Sequence, residues 1–165
     1  MSDTPPQKPM RPPQTAALPP AGSPLTPLQL GMIYESTLAR RPWVNLEQIV
    51  VRLNDEEIDA EALRHAWEKV AARHEALRLS ILWRRRDVPV QVLHPRIPVE
   101  VACEDWSCMV PRKQQMALEQ ALASDRERGV DLEAPPPWRV HLYHLGPRQS
   151  VIVWTSHHVS IHDPS

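Results

Sequence analysis

The sequence predicts an α+β fold, a single lobe in which helices pack on a mixed β-sheet. Three observations lead to this prediction. Helical periodicity recurs in three separate stretches, runs rich in β-branched residues lie between them, and the two kinds of element are interleaved. The predicted order is helix, strand, helix, three strands, helix and two strands. A chain of 165 residues suffices for one domain of ordinary size or for part of a larger one.

Residues 1–24 are predicted to form a proline-rich tail, and residues 25–165 the folded lobe. Prolines are spread along the tail, and Leu18 is its only large aliphatic residue. Such a stretch buries too little apolar surface to offset the entropy lost on ordering, so we expect it to be disordered. The alternative is a docking tail that recruits a partner.

The first half of the lobe alternates helix and strand. Thr26 is a suitable N-cap for a helix with Pro27 at its first position, and an apolar stripe follows at helical spacing. Apolar residues across 43–53 predict a strand. Asp59 is a suitable N-cap for a second helix, and a strand and a hairpin are predicted within residues 73–92.

The second half begins with a short strand, which a helix over residues 111–127 follows. Apolar and polar residues alternate across 138–143, which is typical of a half-buried strand. A Gly-Pro turn then leads into the last strand, residues 150–156. This strand runs directly into His157 and His158, which we expect to lie on a loop.

The last fifteen residues, V-I-V-W-T-S-H-H-V-S-I-H-D-P-S, contain the strongest candidate for a functional site. Successive side chains of a strand alternate in direction, so one of the paired imidazoles is expected to point into the protein and the other away. A neutral imidazole at the end of a rigid strand is suited to proton transfer near pH 7. The alternative is that both histidines are hydrogen-bonded core or rim residues without a chemical role.

Composition narrows the classes of function and location. The 19 basic and 20 acidic residues nearly cancel, so no nucleic acid or anionic membrane is expected as a partner. No run approaches the roughly 18 apolar residues of a membrane span, and the N-terminus has no signal-peptide core. Cys103 and Cys108 are too few for a disulfide framework, which favours a cytoplasmic location.

Three motifs, in this order, resemble the condensation domains of nonribosomal peptide synthetases. L-T-P-L-Q-L-G-M-I-Y-E-S is similar to the opening helix of these domains, R-H-E-A-L-R to their second signature, and H-H-V-S-I-H-D to their H-H-x-x-x-D-G signature. In the last motif His162 stands where the family has aspartate, and Asp163 where it has glycine. The resemblance covers roughly residues 24–165 and implies the N-terminal lobe of a chloramphenicol-acetyltransferase-like fold.

The resemblance also implies an activity: acyl transfer that forms an amide bond between a thioester donor on one carrier domain and an amine acceptor on another. His158 would orient the amine or take its proton, and His157 would be mainly structural. Arg78 would support the loop by pairing with the signature's aspartate; because His162 stands in that place here, the carboxylate would have to come from Asp163. The chain would need no cofactor of its own beyond the phosphopantetheine arms of its partner carrier domains. Its other partners would be further synthetase modules or a second lobe.

Two observations lead us to expect that the chain is incomplete or inactive by itself. His162 replaces the aspartate of the signature, and the residues suffice for only one of the family's two lobes. One alternative is therefore a non-catalytic module that docks carrier or synthetase domains. Another is a truncated gene product.

A metal site is a further alternative that the sequence raises. His158 and His162 are spaced to share a helix face, and imidazoles are competent ligands. Pro164 disturbs any helix there and no third ligand is evident, so we predict no metal. The remaining candidates for a third ligand are His157, Asp163 and His141.

Overall fold

The structure is a computed structural model that describes residues 22–38, 43–84 and 86–161. The tail prediction for residues 1–21 and the roles predicted for His162 and Asp163 fall outside these ranges. The elements in chain order are β1 (Ser23–Pro24), α1 (Pro27–Leu38), β2 (Leu46–Asn54), α2 (Ala60–Arg73), a 3₁₀ turn (Glu75–Arg78), β3 (Leu79–Leu82), β4 (Val90–Leu93), β5 (Val101–Asp105), α3 (Pro111–Arg128), β6 (Trp138–Gly146), β7 (Gln149–His157) and α4 (His158–Ile161). The predicted α+β class is confirmed, and the predicted elements appear in the predicted order.

The strands of the described residues form two sheets. The larger has the strand order β2-β7-β6-β5, in which β5 runs parallel to β6 and the other neighbours are antiparallel, so it is a mixed sheet. The smaller joins β1, β4 and β3 in antiparallel order. Ser23 and Pro24, which the sequence assigned to the tail, pair with β4, so regular structure begins before the predicted boundary.

Helices α2 and α3 cover opposite faces of the larger sheet. Along β7, Ile152 and Trp154 pack with the apolar cluster beneath α2, whereas Val151 and Val153 belong to the cluster beneath α3. This division follows from the alternation of side chains along a strand. The ring of Trp67 in α2 lies 5.2 Å from that of Trp154, measured between centroids. Strand β7 is therefore held from both faces and from both neighbouring strands.

The N-termini of the first two long helices form as the sequence predicts. Thr26 and Gln29 exchange side-chain and main-chain hydrogen bonds of 2.9 and 3.2 Å, which is a reciprocal capping box at the start of α1. The carboxylate of Asp59 accepts a 2.7 Å hydrogen bond from the Ala62 amide at the start of α2. Both caps satisfy amides that have no partner within their helix.

A polar cluster that the sequence did not reveal ties α3 to three strands. The carboxylate of Asp125 in α3 accepts hydrogen bonds from Arg139 of β6, Thr155 of β7 and Gln48 of β2. Burial by itself would raise the pKa of Asp125, but the hydrogen bonds from Arg139 and Thr155 outweigh it and hold this pKa below its usual value. The cluster fixes the sheet just before β7 reaches the paired histidines.

Two predictions from the sequence need correction. The first long strand begins at Leu46 rather than at residue 43, because Asn45 has a φ of 63°, a left-handed conformation that cannot continue a strand. The paired histidines do not lie on a loop. His157 is the last residue of β7, and His158 is the first residue of the short helix α4.

Among the described helices, none has the length and apolar composition needed to cross a bilayer.

Candidate functional site

The candidate site lies where β7 ends and α4 begins. Strand β7 occupies the interior of the larger sheet between β2 and β6, and Val151, Val153 and Thr155 are almost completely buried. The α4 residue Val159 packs in a core cluster with Ile33 of α1. A rigid strand on one side and a packed helical turn on the other therefore fix the backbone of the two histidines between them.

His157 is buried, and both nitrogens of its ring make hydrogen bonds. Its Nδ1 accepts a 3.2 Å hydrogen bond from the Val159 amide, so the proton of a neutral ring lies on Nε2. The Nε2–H then donates to the Ser36 hydroxyl at 3.2 Å, and this hydroxyl donates to the Met32 carbonyl at 2.8 Å. The ring is a link between α1 and α4.

The surroundings of His157 keep its ring uncharged. Burial, followed by the effect of the neighbouring His158, lowers the pKa of His157 to about 4. The imidazole is therefore neutral at pH 7, and accepting a proton there would cost both desolvation and its bond from Val159. These contacts support the structural role that the family resemblance implied for His157.

His158 lies in a different setting, since 40% of its side chain is exposed. Its main-chain amide donates a 2.8 Å hydrogen bond to the carbonyl oxygen of Asn45, which precedes β2. Its Nδ1 lies 2.8 Å from the Glu47 carboxylate, at the start of β2. The prediction that one imidazole points inward and its neighbour outward is confirmed.

Asn45 connects this turn to α1. Its side-chain amide donates to the Met32 carbonyl at 3.3 Å and to the Ser36 hydroxyl at 3.4 Å, while its carbonyl receives the His158 amide. Asparagine tolerates the left-handed conformation better than most residues with a side chain, which fits its φ of 63°. One residue thus contacts the surroundings of both histidines.

A cleft of about 310 Å³ opens beside His157. Its wall combines apolar side chains with two arginines and an aspartate; the lining residues are Ile33, Ser36, Trp83, Arg84, Arg128, Gly129, Val130, Asp131, Leu132 and His157. The cleft reaches the Ser36–His157 pair from the α1 side, whereas the ring of His158 meets β2 through Glu47.

Arg78 lies at the C-terminal end of the 3₁₀ turn and binds main-chain carbonyl groups. Its Nε donates to the Ala71 carbonyl at 2.9 Å, and its Nη1 donates to the His94 carbonyl at 2.6 Å. These bonds hold the end of α2 against the end of β4. Asp163 and His162 lie outside the described residues, so the support of the histidine loop by Arg78 stays a prediction.

The metal alternative depends on side chains that the described residues do not bring together. Both ring nitrogens of His157 make hydrogen bonds. Within residues 22–38, 43–84 and 86–161, no group of three or more His, Cys, Asp or Glu side chains is arranged to hold a metal ion. His162 and Asp163 are not among these residues.

Three residues of the site were missed by sequence reasoning: Ser36, Asn45 and Glu47. Ser36 and Glu47 are single polar residues within a helix and a strand, and nothing in their local pattern signals a contact more than a hundred positions away. An asparagine just before an apolar run is a turn signal, so the backbone turn at Asn45 could have been predicted from the sequence. The hydrogen bonds of Asn45 could not.

Comparison with known proteins gives a consistent result. The family model described as "Condensation domain" matches residues 22–163. A linear gramicidin synthase of Brevibacillus parabrevis is 36% identical over 135 residues, which cover 82% of this chain and 3% of that protein. Gramicidin S synthase 2 of Brevibacillus brevis is 27% identical over 135 residues, again covering 82% of this chain and 3% of the relative. The chain thus spans a small part of these relatives.

Solved structures show the same fold. The first condensation domain of the CDA synthetase superimposes with a TM-score of 0.72 at 18% identity, covering 85% of this chain and 36% of that one. A four-domain nonribosomal peptide synthetase bound to AMP and glycine superimposes with a TM-score of 0.70 at 20% identity, covering 85% of this chain and 10% of that one. The predicted chloramphenicol-acetyltransferase-like lobe is confirmed by such neighbours.

Proposed function

Because this chain belongs to the condensation domain family, we propose that it takes part in nonribosomal peptide synthesis as the N-terminal lobe of a condensation domain. The reaction joins a donor acyl group, held as a thioester on one carrier domain, to the amine of an acceptor on another. The observation that carries this proposal is the setting of His158. Its ring is partly exposed at the end of a rigid strand, and Nδ1 faces a carboxylate at 2.8 Å.

In the proposed mechanism, His158 acts as the general base through Nε2. The acceptor amine attacks the thioester carbonyl, and Nε2 takes the proton that the nitrogen loses. The tetrahedral intermediate then breaks its carbon–sulfur bond, and the imidazolium returns the proton to the departing thiolate. The products are an amide and a free thiol. Fixing both thioesters next to one imidazole would supply much of the rate.

His157 would not touch the substrates in this mechanism. Its ring is buried, with both nitrogens hydrogen-bonded, and its lowered pKa makes it a poor proton acceptor near pH 7. It would instead fix the backbone from which His158 projects. Arg78 is proposed to support the same turn if the chain beyond α4 returns to it, with Asp163 or His162 in the place of the family's aspartate.

The thiols that carry donor and acceptor would be the phosphopantetheine arms of partner carrier domains. These arms would arrive with the substrates, so the chain would need no cofactor of its own. Two exposed apolar side chains of β2, Ile49 and Val51, lie on the same face of the strand as Glu47 and form a short apolar strip. This strip supports a second lobe or a neighbouring synthetase module as a further partner.

The two exposed free cysteines, Cys103 and Cys108, fit a cytoplasmic location.

A second candidate function is a non-catalytic module that docks carrier or synthetase domains. The observation that favours it is His162, which stands where the signature has aspartate. A lobe that binds carriers without chemistry would not need this acid.

A single-turnover assay with aminoacyl-loaded donor and acceptor carriers tests the proposal. A second condensation-domain lobe is supplied in trans, because the chain by itself is expected to be inactive. We then expect dipeptidyl product, and His158→Ala should lower its rate of formation by about 10²- to 10⁴-fold, the usual contribution of a general base. His65→Ala, on the exposed surface of α2, is the matched control and should leave the rate unchanged. Carrier binding without product from the unmodified chain would support the docking module. Neither binding nor product would overturn both candidates.

A further inference from the structure

A row of polar side chains crosses the larger sheet just before the paired histidines. Gln48 of β2, Thr155 of β7 and Arg139 of β6 are partners in the strand register, so they lie side by side. All three side chains donate hydrogen bonds to one carboxylate, that of Asp125 in α3. Thr155 is fully buried, and the exposed fractions of the Arg139 and Asp125 side chains are 18% and 10%. Water therefore competes little for these hydrogen bonds.

Arg139 also holds the chain at the end of α3. Its Nη1 donates a 2.6 Å hydrogen bond to the carbonyl of Gly129, the first residue after the helix, and its Nη2 donates to the Asp125 carbonyl at 2.7 Å. Gly129 turns the chain out of the helix with a φ of 68°, a conformation that favours glycine. The guanidinium thus connects the carboxylate of Asp125 to the segment that follows α3.

That segment, residues 129–132, forms one wall of the cleft beside His157. Its far end is fixed to β3, because the Leu132 carbonyl accepts a 2.7 Å hydrogen bond from the Ile81 amide. His157 lines the same cleft and follows Thr155 by two residues in β7. The position of the wall relative to the end of β7 therefore decides the width of the cleft.

The carboxylate of Asp125 is bonded to both sides of this cleft. Its Oδ2 accepts the hydrogen bond from Thr155 on β7, and its Oδ1 accepts the one from Arg139, which in turn holds Gly129. A carboxylate that is bonded through both oxygens cannot follow one partner without weakening its bond to the other. A displacement of β7 is therefore transmitted to the wall.

We propose that Asp125 is a positioning residue that couples the end of β7 to the wall at residues 129–132 and so sets the width of the cleft beside His157. Neither Asp125 nor Thr155 would touch the substrates. The consequence for catalysis rests on the function proposed above, whereas the coupling is a property of the fold and is measurable without any reaction.

The test changes Thr155 on β7 and reads the result at the wall. Thr155→Val keeps the shape of the side chain but lacks the hydroxyl, whereas Thr155→Ser keeps the hydroxyl and loses a methyl group. Hydrogen–deuterium exchange of the full chain is followed at the amides of Gly129 and Ile81, which are hydrogen-bonded at the two ends of the wall. The reference is the interior of α2, residues 64–70, on the opposite face of the sheet.

We expect Thr155→Val to accelerate exchange at the two wall amides about tenfold more than within α2, since one buried hydrogen bond is worth about that factor. Thr155→Ser should leave the ratio between wall and α2 within about twofold of the unmodified chain. Asp125→Asn has one acceptor oxygen instead of two and should act like Thr155→Val. Equal acceleration at the wall and in α2, or equal effects of the valine and serine variants, would overturn the proposal.

Asp59→Ala is the matched control for a general loss of stability. It removes the N-cap of α2 and should accelerate exchange within α2 more than at Gly129 or Ile81. If it changes the ratio between wall and α2 in the same direction and by the same factor as Thr155→Val, the response does not depend on Asp125 and the proposal fails.

The single-turnover assay with the second lobe in trans separates this proposal from the proposed function. We expect Thr155→Val to lower the maximal rate at least about tenfold without changing the carrier concentration at half-maximal rate, and Thr155→Ser to retain most of the rate. If the unmodified chain gives no product but the wall responds to Thr155→Val, the coupling stands and the proposed catalysis fails. If product forms and the wall does not respond, only the coupling fails. A wall that responds without any change in rate would overturn the role in catalysis.

Discussion

His157 and His158 are neighbours in the chain, yet their side chains lie in two different regions. The region of His157 is closed: its ring is buried against α1 and bonded to Ser36 and the Val159 amide. The region of His158 is open: its side chain is 40% exposed, and its ring contacts Glu47 on the edge strand β2. Two chemically identical residues therefore differ in role because their surroundings differ. The closed region contributes to stability, and the open one is where the proposed chemistry would take place.

The largest expected difference in stability is between His157→Ala and His158→Ala. The first should lower the free energy of unfolding by about 4 kcal/mol, because it leaves a cavity and removes the partners of Ser36 and the Val159 amide. The second changes a partly exposed side chain and should cost less than about 1 kcal/mol. Urea unfolding followed by tryptophan fluorescence measures both. Equal losses would contradict the division between a closed and an open region.

The pH dependence of stability tests the same division through the charge of His157. The folded pKa of about 4 lies below the ordinary value of 6.5, so the unfolded chain binds more protons between these limits. The contribution is complete above about pH 6.5 and is lost as pH falls toward 4, with a total of roughly 3 kcal/mol. Urea unfolding at pH 7 and at pH 4.5 should show most of this loss.

His157→Gln is the control for this titration, since its side chain does not ionise in this range. The difference in unfolding free energy between pH 7 and pH 4.5 should be much smaller in this variant than in the unmodified chain. The carboxylate of Asp125, whose pKa is lowered, loses its contribution only as pH falls below its ordinary value of 3.8. Equal pH dependence in both proteins would show that His157 is not responsible.

A smaller effect is expected from Ser36→Ala, which removes the acceptor of the His157 Nε2–H. A buried donor without a partner costs about 2 kcal/mol, so the free energy of unfolding should fall by that amount. Ser124→Ala, at an exposed position of α3, is the matched control and should change it by less than about 0.5 kcal/mol. In the His157→Ala background Ser36→Ala should cost little, and an additive double mutant would argue against a coupled pair.

The smallest effect concerns the backbone of Asn45, which touches both regions. Its φ of 63° favours glycine over alanine, so Asn45→Ala should be less stable than Asn45→Gly by about 1 kcal/mol. Asp55, with a φ of 66° beyond the other end of β2, is the matched position and should show a similar difference between its two variants. Only the Asn45 variants should alter the His158 signals in a long-range ¹H–¹⁵N spectrum of the chain with ¹⁵N-labelled histidine. A response to the Asp55 variants would mean that the strand, and not Asn45, controls the turn.

The elements of the lobe were predictable because their signals are local. The cap at Asp59, the alternation across β6 and the apolar run of β7 depend on neighbours within a few positions, and the structure confirms a helix start and two strands there. The sequence could not reveal the cluster around Asp125, since Gln48 and Arg139 join it from distant parts of the chain. The predicted start of β2 was wrong by three residues, because the left-handed backbone conformation of Asn45 interrupts an otherwise apolar run.

By itself the sequence determined the class of fold, the order of its elements and the presence of the paired histidines on which the proposed chemistry depends. This was possible because side-chain periodicity, helix caps and a signature motif each depend on residues that lie close together in the sequence. Only the tertiary structure decided which histidine is buried and that the proton of the neutral His157 ring lies on Nε2. Those properties depend on Ser36 and the Val159 amide, and it is the packing of α1 and α4 around the end of β7 that brings the two together.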